Sequence, residues 1–582
     1  MKKLLQFSMI LLGLAIASPM NAQRYLTEIF DEYQVMQDVN FGVNVQPLFS
    51  SFPTNLAEQA VWQSEMDTLN NLILYAAVNN PDTISSPIYA KWFYPNGSFP
   101  GQENTMVKIT PLTMDIYLPP ASDEVTNRPT FVYLHTGNFL PALYNGAITG
   151  DKRDSVGVNI CKQMAMRGYV VAAINYRLGW QPLSTNENTR KGTLLQAVYR
   201  SILDAQTAVR YLKVLSPVYG VDPTKISLFG TGSGGYTAVA YATLNDYASE
   251  VALDKFLDSE TQVPFVVESV DGTLDGGPGF LRLIDPLQGL VDKNICMSVN
   301  MGGALADSSW LNAGEPPMVT FQCVRDPYAP FDHGMVVVPT TNENVVEVDG
   351  GNIFIQRANN LGNNDAFANI PDGDVYTDAA RATYGVTYDY IYATQPTMTV
   401  KPSPEGLYPF IKPLNGDVSV FGNQGSPWDW WDYNTLVAVV AGTNAAQGTT
   451  FDADALNASG LFSNPDMSVE QGLAYIDTVQ NYLHPRVVLA CNLVTGIAEN
   501  PAIQSAMDIF PNPASSTYVT IRNEKAQMSE IVIMDALGKI VLRTNVNAFE
   551  YRLNHEGWKS GMYFVTVLFE EGGQMTKKLV LK

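Results

Sequence analysis

The sequence predicts an α/β protein, built on a mostly parallel central sheet with helices on both faces and followed by a small all-β sandwich. Two patterns carry this expectation. Between Leu112 and Gly334, apolar runs of strand length alternate with helical stretches, and strands separated by helices of about ten residues or more pair in parallel. After Met507 the chain changes to short alternating strands with turns at Asn512-Pro513, Leu537-Gly538 and Gly572-Gly573. That pattern describes a sandwich.

The elements follow in order. Met1-Lys2-Lys3, an apolar run from Leu4 to Ala17 and a small residue at Ala22 read as a signal peptide over residues 1–22, with Gln23 first in the mature chain. The α/β domain is expected over 23–494. It opens with strand-like "RYLTEIFDEYQV" and "LTMDIYLPP", and a stretch rich in Asn, Pro and Ser at about 45–110 reads as an insertion. "PTFVYLHTG" is a buried strand, "VGVNICKQMAMRG" a helix stopped at Gly168, and "YVVAAINYRLG" the next strand. A long amphipathic helix runs to Pro217, then "TKISLFG" returns to strand and "GGYTAVAYATL" to helix. "KNICMSVNMGG" and "PPMVTFQCV" are two more buried strands, and the Asn-, Gly- and Asp-rich stretch at about 336–425 reads as a second insertion. Closing helices, a linker at 495–506 and the β-sandwich at 507–582 complete the chain.

Composition narrows the function classes. With 582 residues, 46% of them hydrophobic, the chain can build a large core and more than one domain. A formal net charge of -22 opposes nucleic-acid binding, which needs basic patches. After the leader no apolar run of about 18 residues follows, so no membrane span is expected. Cys161, Cys296, Cys323 and Cys491 are far apart with no CxxC pair, which argues against a zinc site. They read as small buried apolar residues. No cofactor and no metal are expected; Asp372, Asp374 and Asp378 read as a solvated acidic loop.

The tail resembles the C-terminal sorting domain of the type IX secretion system of the Bacteroidetes. The residues are Phe510-Pro511-Asn512-Pro513, Asp535-Ala536-Leu537-Gly538-Lys539, Gly561-Met562-Tyr563 and the closing Lys577-Lys578-Leu579-Val580-Leu581-Lys582. This resemblance implies export through the secretion machinery, with release or anchoring at the outer cell surface.

The region before it resembles the carboxylesterase branch of the α/β-hydrolase fold through four features. "YLHTGNF" matches an HGGG-type loop, with Thr136 in place of the first glycine; Gly137 and Asn138 are the implied oxyanion donors. "NYRLGW" and Asp204 match the segment that orders the region under the site. "ISLFGTGSGGYTA" matches the nucleophile elbow, with Gly230, Gly232, Gly234 and Gly235 as its glycines. Two alignments remain open there. The gapless one puts Gly232 at the nucleophile position and Ser233 one residue later; a T-x-S-x-G alignment makes Ser233 the nucleophile. "PPMVTFQCVRDPYAP" matches the segment that carries the acid, here Asp326.

The resemblance implies a base histidine late in the domain, where this sequence has none. Of His135, His333, His484 and His555, His333 is the candidate base, and His484 reads as a surface or cap residue ahead of Pro485. Two functions stay open: a secreted carboxylesterase or lipase-like enzyme with Ser233, His333 and Asp326 acting on an ester or acyl substrate, or a surface binding protein that keeps the fold without the triad.

Overall fold

A computed structural model describes residues 24–46, 68, 108–279, 282–338, 341, 343–370, 373–392, 395–402, 405–412, 425–493, 507–514, 516–535, 540–569 and 574–582. The signal peptide, most of the first insertion, Asp372, the linker and the turns at 537–538 and 572–573 lie outside them. The chain divides into two compact units, one of them Phe30–Leu493 and the other containing Val494–Lys582.

The larger unit is built on an eight-stranded sheet. Its strands are β1 (Gln34–Gln46), β2 (Lys108–Leu118), β3 (Arg128–Leu134), β4 (Val170–Ile174), β5 (Val221–Thr231), β6 (Met297–Met301), β7 (Met318–Cys323) and a late strand, numbered below as β12 (Leu407–Phe410). The order is β1-β2-β4-β3-β5-β6-β7-β12. The pairs β1–β2 and β2–β4 are antiparallel, and every later neighbour is parallel. Helix α1 (Ser155–Met166) joins β3 to β4, α2 (Glu187–Val214) joins β4 to β5, and α3 (Ser233–Thr243) follows β5 after one residue. Helix α2 starts where the Asn186 side chain accepts the Thr189 N–H, and carries Glu187 in its first turn and Lys213 in its last. Each feature suits the helix dipole.

Alternation along the strands puts helices on both faces. Val132, Leu134 and Leu228 join one buried cluster with Leu203 and Leu212 of α2 and Val239 of α3. Phe131, Tyr133 and Phe229 point the other way and pack ring against ring. On that side Phe131 meets Tyr169, which stacks on His484. The buried Arg177–Asp204 pair, 2.8 Å apart, ties the segment after β4 to α2.

Beyond β7 come a hairpin of β8 (His333–Val337) and β9 (Asn344–Asp349), helix α4 (Gly351–Asn360), a hairpin of β10 (Thr387–Tyr392) and β11 (Gln395–Thr399), and then β12. The expectation of one insertion over 336–425 is therefore corrected: the sheet's last strand lies inside it. Strand β12 has four residues and contains Pro409, so its period is too short to read. A proline strand is tolerated because this is the sheet's edge. Helices α5 (Tyr433–Gln447), α6 (Ala453–Ser463) and α7 (Val469–Ala490) close the unit.

Two further expectations change. Cys296 and Cys491 form a disulfide across 195 residues, tying the residue before β6 to the one after α7, while Cys161 and Cys323 are free and buried. A cross-link closing so long a loop is worth roughly 2–4 kcal/mol. His484 is not a surface cap. It is fully buried inside α7, which continues through Pro485, and it bonds to the Tyr169 hydroxyl and the Gln480 amide oxygen.

The second unit has two antiparallel sheets, β13 (Met507–Phe510), β14 (Tyr518–Asn523) and β17 (Glu550–Asn554) in one, and β16 (Ile540–Ala548), β15 (Met528–Asp535), β18 (Gly561–Phe569) and β19 (Gln574–Leu581) in the other. Period-two alternation supplies its core, with Val519 and Ile521, Ile531 and Ile533, and Val565 and Val567 buried together.

Candidate functional site

Strand β5 turns into α3 through Gly232 alone, whose φ of +54° and ψ of -117° suit glycine and strain any other residue. The turn is tight because the helix start lies against the strands. A Cβ on Gly230 would stand 1.8 Å from the Gly234 carbonyl oxygen, and one on Gly234 2.1 Å from that of Leu134. Of the two alignments, the backbone follows the gapless one: the strained residue between strand and helix is Gly232, and Ser233 already belongs to α3.

The space a nucleophile's side chain needs is occupied. A Cβ built on Gly232 would meet Thr136 Oγ1 at 2.1 Å and Thr136 Cβ at 3.0 Å. The pair exchanges volume: a threonine stands where the resembling loop has glycine, and a glycine stands where the elbow has serine. The sequence displayed both departures but not that they touch.

Ser233 is buried, with Oγ 3.0 Å from the Tyr176 hydroxyl. Tyr176 donates its single proton to the His135 carbonyl oxygen at 2.7 Å, so Ser233 is the donor in its bond to Tyr176. Burial holds the Tyr176 phenol well above its ordinary pKa, which leaves it no capacity as a base near neutral pH. His135 stacks on Tyr176 with centroids 4.4 Å apart. Its Nδ1 lies 2.6 Å from the Thr136 carbonyl oxygen, an acceptor, so the ring proton sits on Nδ1; Nε2 is buried with no partner among the described residues. Burial lowers its pKa.

Gly137 adopts φ of +121° and packs against Gly150. The Asn138 carbonyl accepts the Trp180 indole N–H at 2.7 Å. Neither the Gly137 nor the Asn138 N–H has an acceptor among the described residues.

Asp326 follows β7 and is 3% exposed. Its Oδ1 accepts the Tyr328 and Ala329 N–H groups at 2.8 and 2.9 Å. Burial pushes its carboxyl up to about 7 against these two bonds. Beside it stands no imidazole but Gly425, where a Cβ would lie 2.6 Å from Oδ1. His333 is at the surface, its side chain 58% exposed, with Nδ1 2.9 Å from the Asp349 carboxylate.

Thr136, Asn138, Gly232, Ser233, Asp326 and Ser426 share one cavity of about 1300 Å³, its open mouth included. The rest of its wall is mostly apolar and includes Phe139, Trp180, Ile202, Phe256 and Trp310, and His333 is not part of it. Of the residues singled out in the sequence, Ser233, Asn138 and Asp326 line this cavity, while the candidate base His333 does not. Sequence reasoning missed the contact of Thr136 with Gly232, the Tyr176 bond to Ser233, and the approach of Gly425 to Asp326. Only the glycine-to-threonine departure in the loop was a visible signal. Trp428, Trp430 and Trp431 are packed against Gly302, Gly472 and Gly460.

A parallel sheet, a glycine elbow and an acid turn at the carboxyl ends of β5 and β7 define the α/β-hydrolase class. Comparison with known proteins makes this specific. Residues 114–337 match the BD-FAE family model, and residues 508–582 match a secretion system C-terminal sorting domain. The chain carries an α/β-hydrolase domain that matches the BD-FAE model over residues 114–337, followed by a sorting domain that directs it to secretion or the cell surface. Carboxylesterase 3B of Mus musculus is 29% identical over 138 residues, 23% of this chain and 21% of the relative. Neuroligin-2 of Homo sapiens is 28% identical over 122 residues, 20% of this chain and 12% of the relative. The chain thus spans about a fifth or less of the length of these curated relatives. Among solved structures, esterase 2 of Thermogutta terrifontis phosphorylated by paraoxon aligns over 38% of this chain and 69% of its own, at 19% identity and a TM-score of 0.24. Among the described residues no helix is long and apolar enough to cross a membrane.

Proposed function

We propose that this domain is an exported binding protein that does not hydrolyse esters, and that its cavity holds a small molecule with a largely apolar body. One observation carries the reading: the backbone of a nucleophile position survives at Gly232, and the Thr136 hydroxyl fills the volume of the missing side chain. The acid turn agrees with it, because Asp326 lies against Gly425 and the candidate base His333 is not among the residues lining the cavity. The sorting tail implies a transient partner in the secretion machinery.

The experiment is hydrolysis of p-nitrophenyl acetate and butyrate by the mature protein beside Ser233→Ala, together with Nile red binding. Expected are no rate above buffer for either protein, and Nile red fluorescence that Val198→Trp, which fills the cavity, abolishes. A rate that Ser233→Ala removes would overturn the reading. The competing one, ester hydrolysis by Ser233, Asp326 and His333, has in its favour that Ser233 and Asp326 line the same cavity; in that case His333→Ala also stops the reaction. Deleting residues 507–582 should stop export.

A further inference from the structure

Resting on the binding reading, we infer that the cavity selects a basic amphiphile, an alkyl- or arylamine whose ammonium group sits against Asp326 and whose apolar body fills the rest of the space. Asp326 is the only charged side chain among the described residues lining the cavity. Its Oδ1 is satisfied by two backbone N–H groups, while Oδ2 has no donor among the described residues. The group is nine-tenths buried or more.

Among the described residues no protein cation serves it. The neighbouring Arg325 turns its guanidinium to the Asp389 and Lys412 carbonyl oxygens, and Lys412 pairs with Asp466. In the resembling enzymes this acid orients a histidine; here that partner is absent and the carboxyl is left at the wall of a mostly apolar space. A carboxylate there is costly without a counter-charge, and a ligand cation supplies one through a charge-assisted hydrogen bond. A ligand carboxylate would set two like charges together in a site of low polarity. The selectivity therefore runs amine over alcohol over acid, which disfavours the carboxylate product of an ester hydrolase. Burial raises the Asp326 pKa, and the two backbone bonds do not offset it.

Octylamine, 1-octanol and octanoate share one chain length and differ in the head group. Calorimetric titration of the mature protein at pH 7.5 should rank them in that order, with octylamine about tenfold or more tighter than octanol. Asp326→Asn should weaken octylamine about tenfold and leave octanol within about twofold. Octanoate binding as tightly as octylamine, or Asp326→Asn weakening amine and alcohol alike, would overturn the inference. The ranking on the wild-type protein decides the matter even if the variant folds poorly. If Nile red and octanol bind without a preference for amine, only this inference falls; if neither these nor octylamine binds, the binding reading falls with it.

Discussion

The elbow after β5 and the acid turn after β7 lie on one rim of the same sheet and have departed from the hydrolase pattern in opposite ways. At the elbow the backbone stays and the side chain is gone: Gly232 keeps its unusual torsion angles while Thr136 takes the vacated volume. At the acid turn the side chain stays and its partner is gone, leaving Asp326 capping its own loop beside Gly425. The elbow's shape is needed by the fold, since Gly230 and Gly234 let α3 start in contact with β5 and β3. The acid has no such protection beyond two backbone bonds. Packing on every side fixes the elbow's backbone, whereas the Asp326 side chain is held by two backbone bonds.

The largest effect should come from the elbow's packing. Gly234→Val puts a side chain 2.1 Å from the Leu134 carbonyl, and loss of the folded state or more than about 4 kcal/mol is expected in urea unfolding. Gly232→Ala should cost about 2–4 kcal/mol from strain and collision with Thr136. Adding Thr136→Gly should return about 1–2 kcal/mol of this, a coupling a double-mutant cycle reads directly. Additive losses would mean the two residues do not exchange volume.

Restoring both sites sharpens the comparison further. Thr136→Gly, Gly232→Ser and Ser426→His together should raise p-nitrophenyl butyrate hydrolysis at least about tenfold above buffer, with no rate from any single change.

The smallest effect is on pH dependence. An unfolded Asp loses its proton near the ordinary 3.8, and folded Asp326 near 7. Between those values the folded state holds the extra proton, so stability contributed by this group is full below pH 4 and falls as pH rises through 7. The titratable groups facing it, Tyr236 and Cys323, are held protonated by burial. Asp326→Asn should therefore gain on the order of 1–3 kcal/mol at pH 8 relative to pH 4. An equal effect at both pH values would show that the carboxyl is not buried as described.

Much of the fold was legible because burial leaves a periodic trace. The runs at Thr130–Leu134, Val170–Ile174 and Ile226–Gly230 are continuously buried and mostly apolar, as strands covered on both faces must be. The sandwich strands alternate because one face of each is wet. Strand β12 left no trace, being four residues at an edge. The Cys296–Cys491 bridge was hidden by the 195 residues between its ends. At the site, Asp326 and the elbow glycines stood in recognisable order, but order does not fix register, and Ser233 remained a candidate nucleophile beside Gly232.

The sequence by itself determined the class of fold, the order of its strands and helices from β2 to β7 and the address carried by the tail, because these follow from local period, turn chemistry and short motifs. Only the tertiary structure decided that Gly232 bears the strain, that Thr136 fills the space beside it, that His333 pairs with Asp349 at the surface, and that Asp326 opens onto an apolar cavity. Those are statements about which atoms meet across 16 to 96 residues, or about what a group faces once water is excluded. Packing sets both, and no stretch of chain encodes either alone.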